Sequence, residues 1–358
     1  MRQILFYIHA DSLFSFAPIE GVAAVGFVVP ILMWVAYTLG FGWWQSRSPG
    51  GGGLRGPLIS AAVGAAVLSC VPAVFGARLA PGIPVYGYGL MVFLGFITGG
   101  LWAARRARSV GIDPEVIWDL LTWFFVAGIG GARLFFLVQY SDKVYSPGMS
   151  LGGRVFATFN LSNGGLVLFG GVIAVVAAML IFCRVRKVSL LLIGDVIVPS
   201  FFVGLAFGRI GCLLNGCCYG NACAYPWGIE FPQGSVTHTA LVMRGFLDAA
   251  APSTYPLHPT QIYSAVNAAM LAWLTSGVFK TRPRHGVVLA LALIVYPFTR
   301  FMIEIIRGDE GGQFGTELTI SQWVSLGLSA SGLVLAAVLA LRGRGPDGRP
   351  TDAVPAAG

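Results

Sequence analysis

The chain reads as an all-α, polytopic membrane protein. Only 11% of its 358 residues are charged, 56% are hydrophobic, and its mean hydropathy is +0.77. Soluble domains carry about 25% charged residues, so this chain lacks the polar surface to cover a body in water. Its apolar residues also gather into nine runs, each of roughly the 20 residues that cross a bilayer core. Its 49 glycines suit helices packed closely in lipid and backbone threaded at membrane depth. The same figures exclude a disordered chain, a collagen-like fibre and a small disulfide-stapled scaffold.

In chain order the spans are expected near 21–44, 57–76, 86–104, 117–138, 165–183, 190–214, 260–279, 286–306 and 320–341. Residues 1–20 do not read as a cleaved signal, because His9 and Asp11 interrupt the apolar pattern; a segment lying on the membrane surface is expected there. Ser46–Gly56, SRSPGGGGLRG, reads as a flexible linker. The expected organisation is a surface segment, first extra span and linker over 1–56, a second extra span over 57–85, a core of seven spans over 86–342 and a disordered tail over 343–358. Gly216 to Leu257 is too long for a mere connector, which marks it as functional. Within it, Leu241–Leu247 is expected to form a short helix on the bilayer surface. No internal repeat is visible.

The net charge is +8, and its distribution decides what it means. One set of loops holds 14 of the 23 Lys and Arg: Arg47 and Arg55; Arg105, Arg106 and Arg108; Arg184, Arg186 and Lys187; Lys280, Arg282 and Arg284; Arg342, Arg344 and Arg349. The opposite set holds Arg2, Arg78, Lys143, Arg154, Arg244 and Arg307, and three more arginines lie inside spans. The richer side is cytoplasmic by the positive-inside rule, which puts the N-terminus outside and the C-terminus inside. The basic clusters are orientation signals with some attraction for anionic lipid, and not a nucleic-acid surface.

An Arg at the centre of a spanning helix costs about 2.5–3.5 kcal/mol on insertion scales, so it needs a partner or a polar cavity. The ionisable residues placed inside spans are Asp119, Arg133, Asp195, Arg209, Arg300 and Glu304. Tyr296, Arg300 and Glu304 recur every four residues and form one polar stripe on a helix loosened by Pro297. Arg209 lies in Gly208-Arg-Ile-Gly-Cys-Leu-Leu-Asn-Gly-Cys-Cys-Tyr-Gly220, whose four glycines signal close backbone approach at a span's end. Arginine beside open backbone N–H groups is how proteins hold phosphate. Arg209 and Arg300 are therefore expected to converge on an anionic head group from the outer leaflet; Arg133 either joins them or snorkels to the interface. His258-Pro-Thr-Gln-Ile-Tyr263 opens a span, with Pro259 setting the first turn, His258 at the mouth, and Gln261 and Tyr263 entering the membrane.

Six cysteines are present. Cys70 and Cys183 read as small core residues. Cys212, Cys217, Cys218 and Cys223 cluster with spacing C-x4-C-C-x4-C. Three readings stay open for them: a disulfide or inert thiols, a zinc site that lacks the usual paired C-x2-C form, and thiol redox catalysis.

The motifs over 86–342 resemble those of bacterial prolipoprotein diacylglyceryl transferases. They are Tyr88-Gly-Leu-Met91, Gly130-Gly-Ala-Arg-Leu134, Asn163-Gly-Gly-Leu166, Asp195 with Pro199, and G-R-I-G-x-x-x-N-G from Gly208 to Gly216. Pro226-Trp-Gly-Ile-Glu-Phe-Pro232, H-P-x-Q-x-Y from His258 to Tyr263, and Tyr296, Arg300, Glu304 and Arg307 follow in the family's order. The resemblance implies an enzyme of the bacterial inner membrane with its active site toward the outer leaflet. It would transfer the diacylglyceryl group of phosphatidylglycerol to the lipobox cysteine of a preprolipoprotein signal peptide. This is the first step of lipoprotein maturation, releases glycerol 1-phosphate, and needs no metal or organic cofactor. The thiolate is the nucleophile, and charge developing on the departing phosphate needs preorganised cations. Arg209 and Arg300 match the family's lipid-binding arginines. Tyr88, Asn215, Gly220, Gln261 and Tyr263 are the further residues expected against phosphatidylglycerol.

The chain departs from many members at Cys212 (commonly Asn), Cys217 (commonly Glu) and Phe169 (commonly His). The missing His is the usual candidate base, leaving His258, or Glu304 with Tyr296; His258 is the better base by intrinsic pKa. Two other functions use the same residues differently. A thiol oxidoreductase would use the cysteine cluster, and a transporter would line a solute path with the Arg–Glu stripe.

Overall fold

The structure, a computed structural model, describes residues 3–9, 12–46, 55–75, 82–145, 148–160, 165–282, 284–307, 311–313 and 315–341. In chain order the elements are β1 (Ile4–Ile8), β2 (Ala24–Val25), α1 (Val28–Ser46), α2 (Arg55–Phe75), β3 (Ile83–Tyr86), α3 (Gly87–Arg108), α4 (Pro114–Gln139), α5 (Ser141–Val144) and α6 (Leu151–Phe159). Then come α7 (Leu168–Val185), α8 (Leu190–Asn215), α9 (Val236–Met243), α10 (Thr260–Thr281), α11 (Val287–Ile305) and α12 (Ile320–Leu341). Seven of them, α3, α4, α7, α8, α10, α11 and α12, are long and apolar enough to cross a membrane. Their outer faces are crowded with large apolar side chains, among them Leu168 and Trp273, which are 76% and 80% exposed. Continuous apolar surface of this kind belongs against lipid.

The expected count of nine crossings is not reached among the described residues. The leading helices α1 and α2 carry apolar stretches over Val28–Gly40 and Pro57–Cys70, each short for a crossing. Most of the expected linker (residues 47–54), Asn163 and Gly164 of one motif, and the tail from 342 lie outside the described residues.

Two compact units divide the chain: residues 1–93 with 210–259, and residues 94–209 with 260–358. The first unit contains a small sheet whose first strand lies within the segment expected at residues 1–20. ILFYI is β-branched and aromatic enough to extend, and β1 runs parallel to β2 (Tyr7 opposite Ala24) and antiparallel to β3 (Ile8 opposite Ile83). Glu20 and Gly21, at φ +50° and +72°, turn the chain between β1 and β2. The first helix therefore starts at Val28, later than the expected 21. In α1 and α2 the Trp34 indole covers Gly64 and donates to the Ser60 carbonyl at 3.2 Å.

The long loop of this unit has its own core of Tyr219, Phe231, Leu241 and Leu257. Thr237 Oγ1 donates to the Gly216 carbonyl at 2.6 Å, and the His238 ring meets the Ala251 carbonyl at 2.9 Å. The short helix expected over Leu241–Leu247 sits earlier, as α9. Ser235 caps its start by accepting from His238 N, and Gly245 at φ +73° carries the chain away just past its end.

In the second unit the helices close on small residues. Gly95 and Gly99 of α3 lie against Gly204 and Ser200 of α8: a Cβ at Gly95 would stand 3.1 Å from the Gly204 carbonyl oxygen, and one at Gly99 3.0 Å from that of Ser200. Gly131 of α4 and Gly170 of α7 meet in the same way: a Cβ added at either would stand 2.6 or 2.5 Å, respectively, from the other's carbonyl oxygen. Ile117, Phe182, Ile193, Phe202 and Val288 fill the interior.

Candidate active site

The polar stripe of α11 forms as its spacing requires. Arg300 Nη1 stands 2.5 Å from Glu304 Oε2, and Arg307 Nη1, just past the helix end, stands 3.6 Å from the same oxygen. The other carboxylate oxygen accepts from Thr319 Oγ1 at 3.1 Å. Glu304 is wholly buried, and the Arg300 side chain is only 12% exposed. Tyr296, one turn earlier, packs its ring 5.6 Å from that of Phe202 on α8. Arg209, on the same helix as Phe202, is half-buried and lies within electrostatic reach of Arg300. Two guanidinium groups thus flank one carboxylate, with Arg209 in electrostatic reach of Arg300, which leaves a surplus of positive charge among apolar helices. Asn267 of α10 donates to Thr299 at 3.0 Å and ties α10 to this part of α11. Gln261 and Tyr263 occupy the first turn of α10, Gln261 buried and Tyr263 half-buried.

The remaining predicted residues lie in the first unit. Gly220 N donates to the His258 carbonyl at 3.0 Å, and His258 N donates to the Asn221 carbonyl at 2.9 Å. The His258 ring stands 6.2 Å from Tyr225, which is stacked on Trp227. Pro259 immediately precedes α10. Tyr88, at the start of α3, covers Gly211: a Cβ there would stand 3.2 Å from its ring, which explains this glycine of the motif. Asn215 lines a cavity of about 300 Å³ together with Gln3, Gly216 and Ser235.

Three charges flagged by their depth do other work. Arg133 neither joins the cation cluster nor snorkels. It is buried and donates to the carbonyls of Ala157 (2.6 Å), Thr158 (2.9 Å), Asn160 (2.9 Å) and Gly165 (3.1 Å), closing the C-terminal end of α6. Asp195 of α8 is fully buried and accepts from the Gly286 and Leu289 amides at 2.7 and 2.9 Å, so it caps α11 from another helix. Arg282 stands 3.4 Å from the same carboxylate. Burial pushes the Arg282 guanidinium's pKa down, and Asp195 opposes that shift. Asp119 pairs with Arg186 at a half-exposed position. Of the two cysteines read as core, Cys183 is buried but Cys70 is exposed.

Sequence reasoning placed Arg307 among the loop charges and in the family motif but gave it no role at the site, and it did not find Thr319. The i, i+3 spacing from Glu304 signals Arg307. Thr319 opens α12 in a capping box with Gln322, but nothing local in the sequence signals its bond to Glu304.

Seven helices long and apolar enough to cross a bilayer define a multi-pass membrane protein. The chain matches the family described as Prolipoprotein diacylglyceryl transferase over residues 75–338, and it belongs to that family. It is therefore an enzyme, a transferase, and membership decides against the oxidoreductase and transporter readings. Among its relatives, the phosphatidylglycerol–prolipoprotein diacylglyceryl transferase of Rhodopirellula baltica is 31% identical, covering 74% of each chain. That of Clostridium tetani is 30% identical over 68% of this chain and 89% of its own. That of Bordetella avium is 31% identical over 74% of this chain and 94% of its own.

Proposed function

We infer that this chain carries out the reaction its relatives are named for, moving the diacylglyceryl group of phosphatidylglycerol onto the cysteine thiol of a prolipoprotein. A thiolate of the substrate attacks the glycerol CH₂ carbon next to the phosphate. The carbon–sulfur bond forms, the carbon–oxygen bond breaks, and glycerol 1-phosphate leaves with the electron pair. The observation that carries this reading is the surplus of positive charge left by Arg300 and Arg307 on Glu304 with Arg209 in electrostatic reach of Arg300. Preorganised cations in an apolar setting stabilise the charge that grows on a departing phosphate.

In this reading Arg209 and Arg300 clamp the phosphate. Glu304 keeps Arg300 and Arg307 in position, since both its oxygens are already engaged, and Tyr296 packs behind the clamp. His258 takes the thiol proton, as imidazole is the side chain suited to proton transfer near neutral pH. Tyr88, Asn215, Gly220, Gln261 and Tyr263 contact phosphatidylglycerol. The acceptor is the lipobox cysteine of a signal peptide. The membrane is the bacterial inner membrane, with the N-terminus outside, the C-terminus in the cytoplasm and the reaction at the outer leaflet.

The test combines the purified chain, phosphatidylglycerol labelled in its acyl chains, and a lipobox peptide with one cysteine. Label on the peptide and released glycerol phosphate are both expected. Arg209→Ala and Arg300→Ala are each expected to lower turnover about 10²-fold or more, the loss seen when one preorganised donor is removed. Arg209→Lys rescues poorly, because a point charge lacks the guanidinium fork. Full activity in both alanine variants refutes the clamp, and no labelled peptide from folded protein refutes the reaction.

A further inference from the structure

The thiols of Cys212, Cys217 and Cys218 converge: their three sulfur atoms all lie within 4.8 Å of one another, and those of Cys217 and Cys218 are 3.9 Å apart. Zn–S bonds of about 2.3 Å in a tetrahedron place neighbouring sulfurs about 3.8 Å apart. The three thiols therefore already stand close to the edge lengths of a single metal's coordination shell. A disulfide would use two of them and strand the third.

The backbone brings them together. Cys212 lies in the last turn of α8, and Cys217 N donates back to the Cys212 carbonyl at 3.1 Å. Gly216 and Cys218 both sit at positive φ, +72° and +62°, so the chain folds back on the helix end. Cys218 is one of only three non-glycine residues with positive φ among those described. Thr237 holds this turn through the Gly216 carbonyl, and Phe231 packs on Gly216. Cys223 is turned away, its sulfur 3.9 Å from the Tyr225 carbonyl. No step of the proposed reaction uses these thiols, because the nucleophile belongs to the substrate.

We propose that Cys212, Cys217 and Cys218 form a binding site for one thiophilic metal ion, Zn²⁺, held as three thiolates with the fourth position open to water. Binding displaces the thiol protons, one for each cysteine that enters the shell as thiolate. Arg209 precedes Cys212 by three residues on the same helix, so the ion fixes the end of the element that carries it.

The experiment uses the full-length chain in detergent, reduced and stripped with a chelator, and reads metal binding rather than transfer. Its outcome is therefore independent of the transferase reading. Cobalt(II) is titrated in as a spectroscopic probe. One equivalent per chain is expected to give an intense near-ultraviolet sulfur-to-cobalt band and the visible bands of a tetrahedral centre, both lost when Zn²⁺ displaces the cobalt. Cys212→Ser, Cys217→Ser and Cys218→Ser are each expected to lose or strongly weaken the band, and Cys223→Ser to keep it. A second measurement needs no variant: Zn²⁺ should protect Cys212, Cys217 and Cys218 of the native chain from alkylation while the exposed Cys70 still reacts. No sulfur band in the reduced chain, the same band in a Cys212/Cys217/Cys218 triple serine variant, or alkylation unaffected by Zn²⁺ would each overturn the proposal.

Discussion

At the scale of single residues, buried charges in this chain divide by what they touch. Arg300 and Arg307 share one carboxylate and, with Arg209 close to Arg300, retain net positive charge, whereas Arg133 spends its guanidinium on four carbonyls of its own chain. Arg133→Met is therefore expected to leave the chemistry intact but to loosen α6. Buried acceptors left without donors cost about 1–3 kcal/mol, which thermal unfolding would register as a lowered midpoint. Unchanged unfolding would show that water replaces the arginine at no cost. The α11 stripe was readable in advance because its partners recur at helical spacing. The role of Arg133 was not, because its acceptors are backbone atoms 24 to 32 residues downstream, and backbone carries no sequence code. Asp195 misled for a similar reason: an acid at membrane depth looks functional, yet the amides it caps lie 91 and 94 residues away.

At the scale of elements, apolar run length located the seven long helices, with boundaries shifted by caps such as Asp113 before Pro114. Length could not reveal which helices pair. That is set by where two backbones come close, as Gly131 and Gly170 do. Gly170→Leu is expected to force α4 and α7 apart and to destabilise the protein by about 1–3 kcal/mol or more, the usual penalty of overpacking. Gly130→Leu is the control, because a Cβ there meets nothing within 4 Å. Equal losses of folded protein in the two variants, compared by size-exclusion chromatography in detergent, would refute the close crossing. The sheet of β1, β2 and β3 escaped notice because short β-branched stretches in an apolar chain also fit the rim of a helix, and strand pairing is non-local.

At the scale of the whole chain, the lysine and arginine asymmetry sets a direction. Arg105, Arg106 and Arg108 close α3, Arg184 closes α7 and Lys280 closes α10. These three helices therefore end in basic residues, which the proposed orientation puts on the cytoplasmic side. Single cysteines introduced at Gly111 and Gly245 in a background without reactive thiols test this in intact cells. An impermeant thiol reagent should label position 245 and not 111; the reverse pattern would invert the orientation and with it the proposed leaflet. The loop that carries Gly245 has one more property. Gly220 and His258 bond to each other, so the loop is tied at its neck by a backbone hydrogen bond. Once a neck is tied, added chain beyond it costs little closure entropy, since doubling a flexible loop costs only about 0.6 kcal/mol. The tip around Gly245 is thus where this enzyme can lengthen, shorten or acquire new sequence over evolutionary time without disturbing its helices.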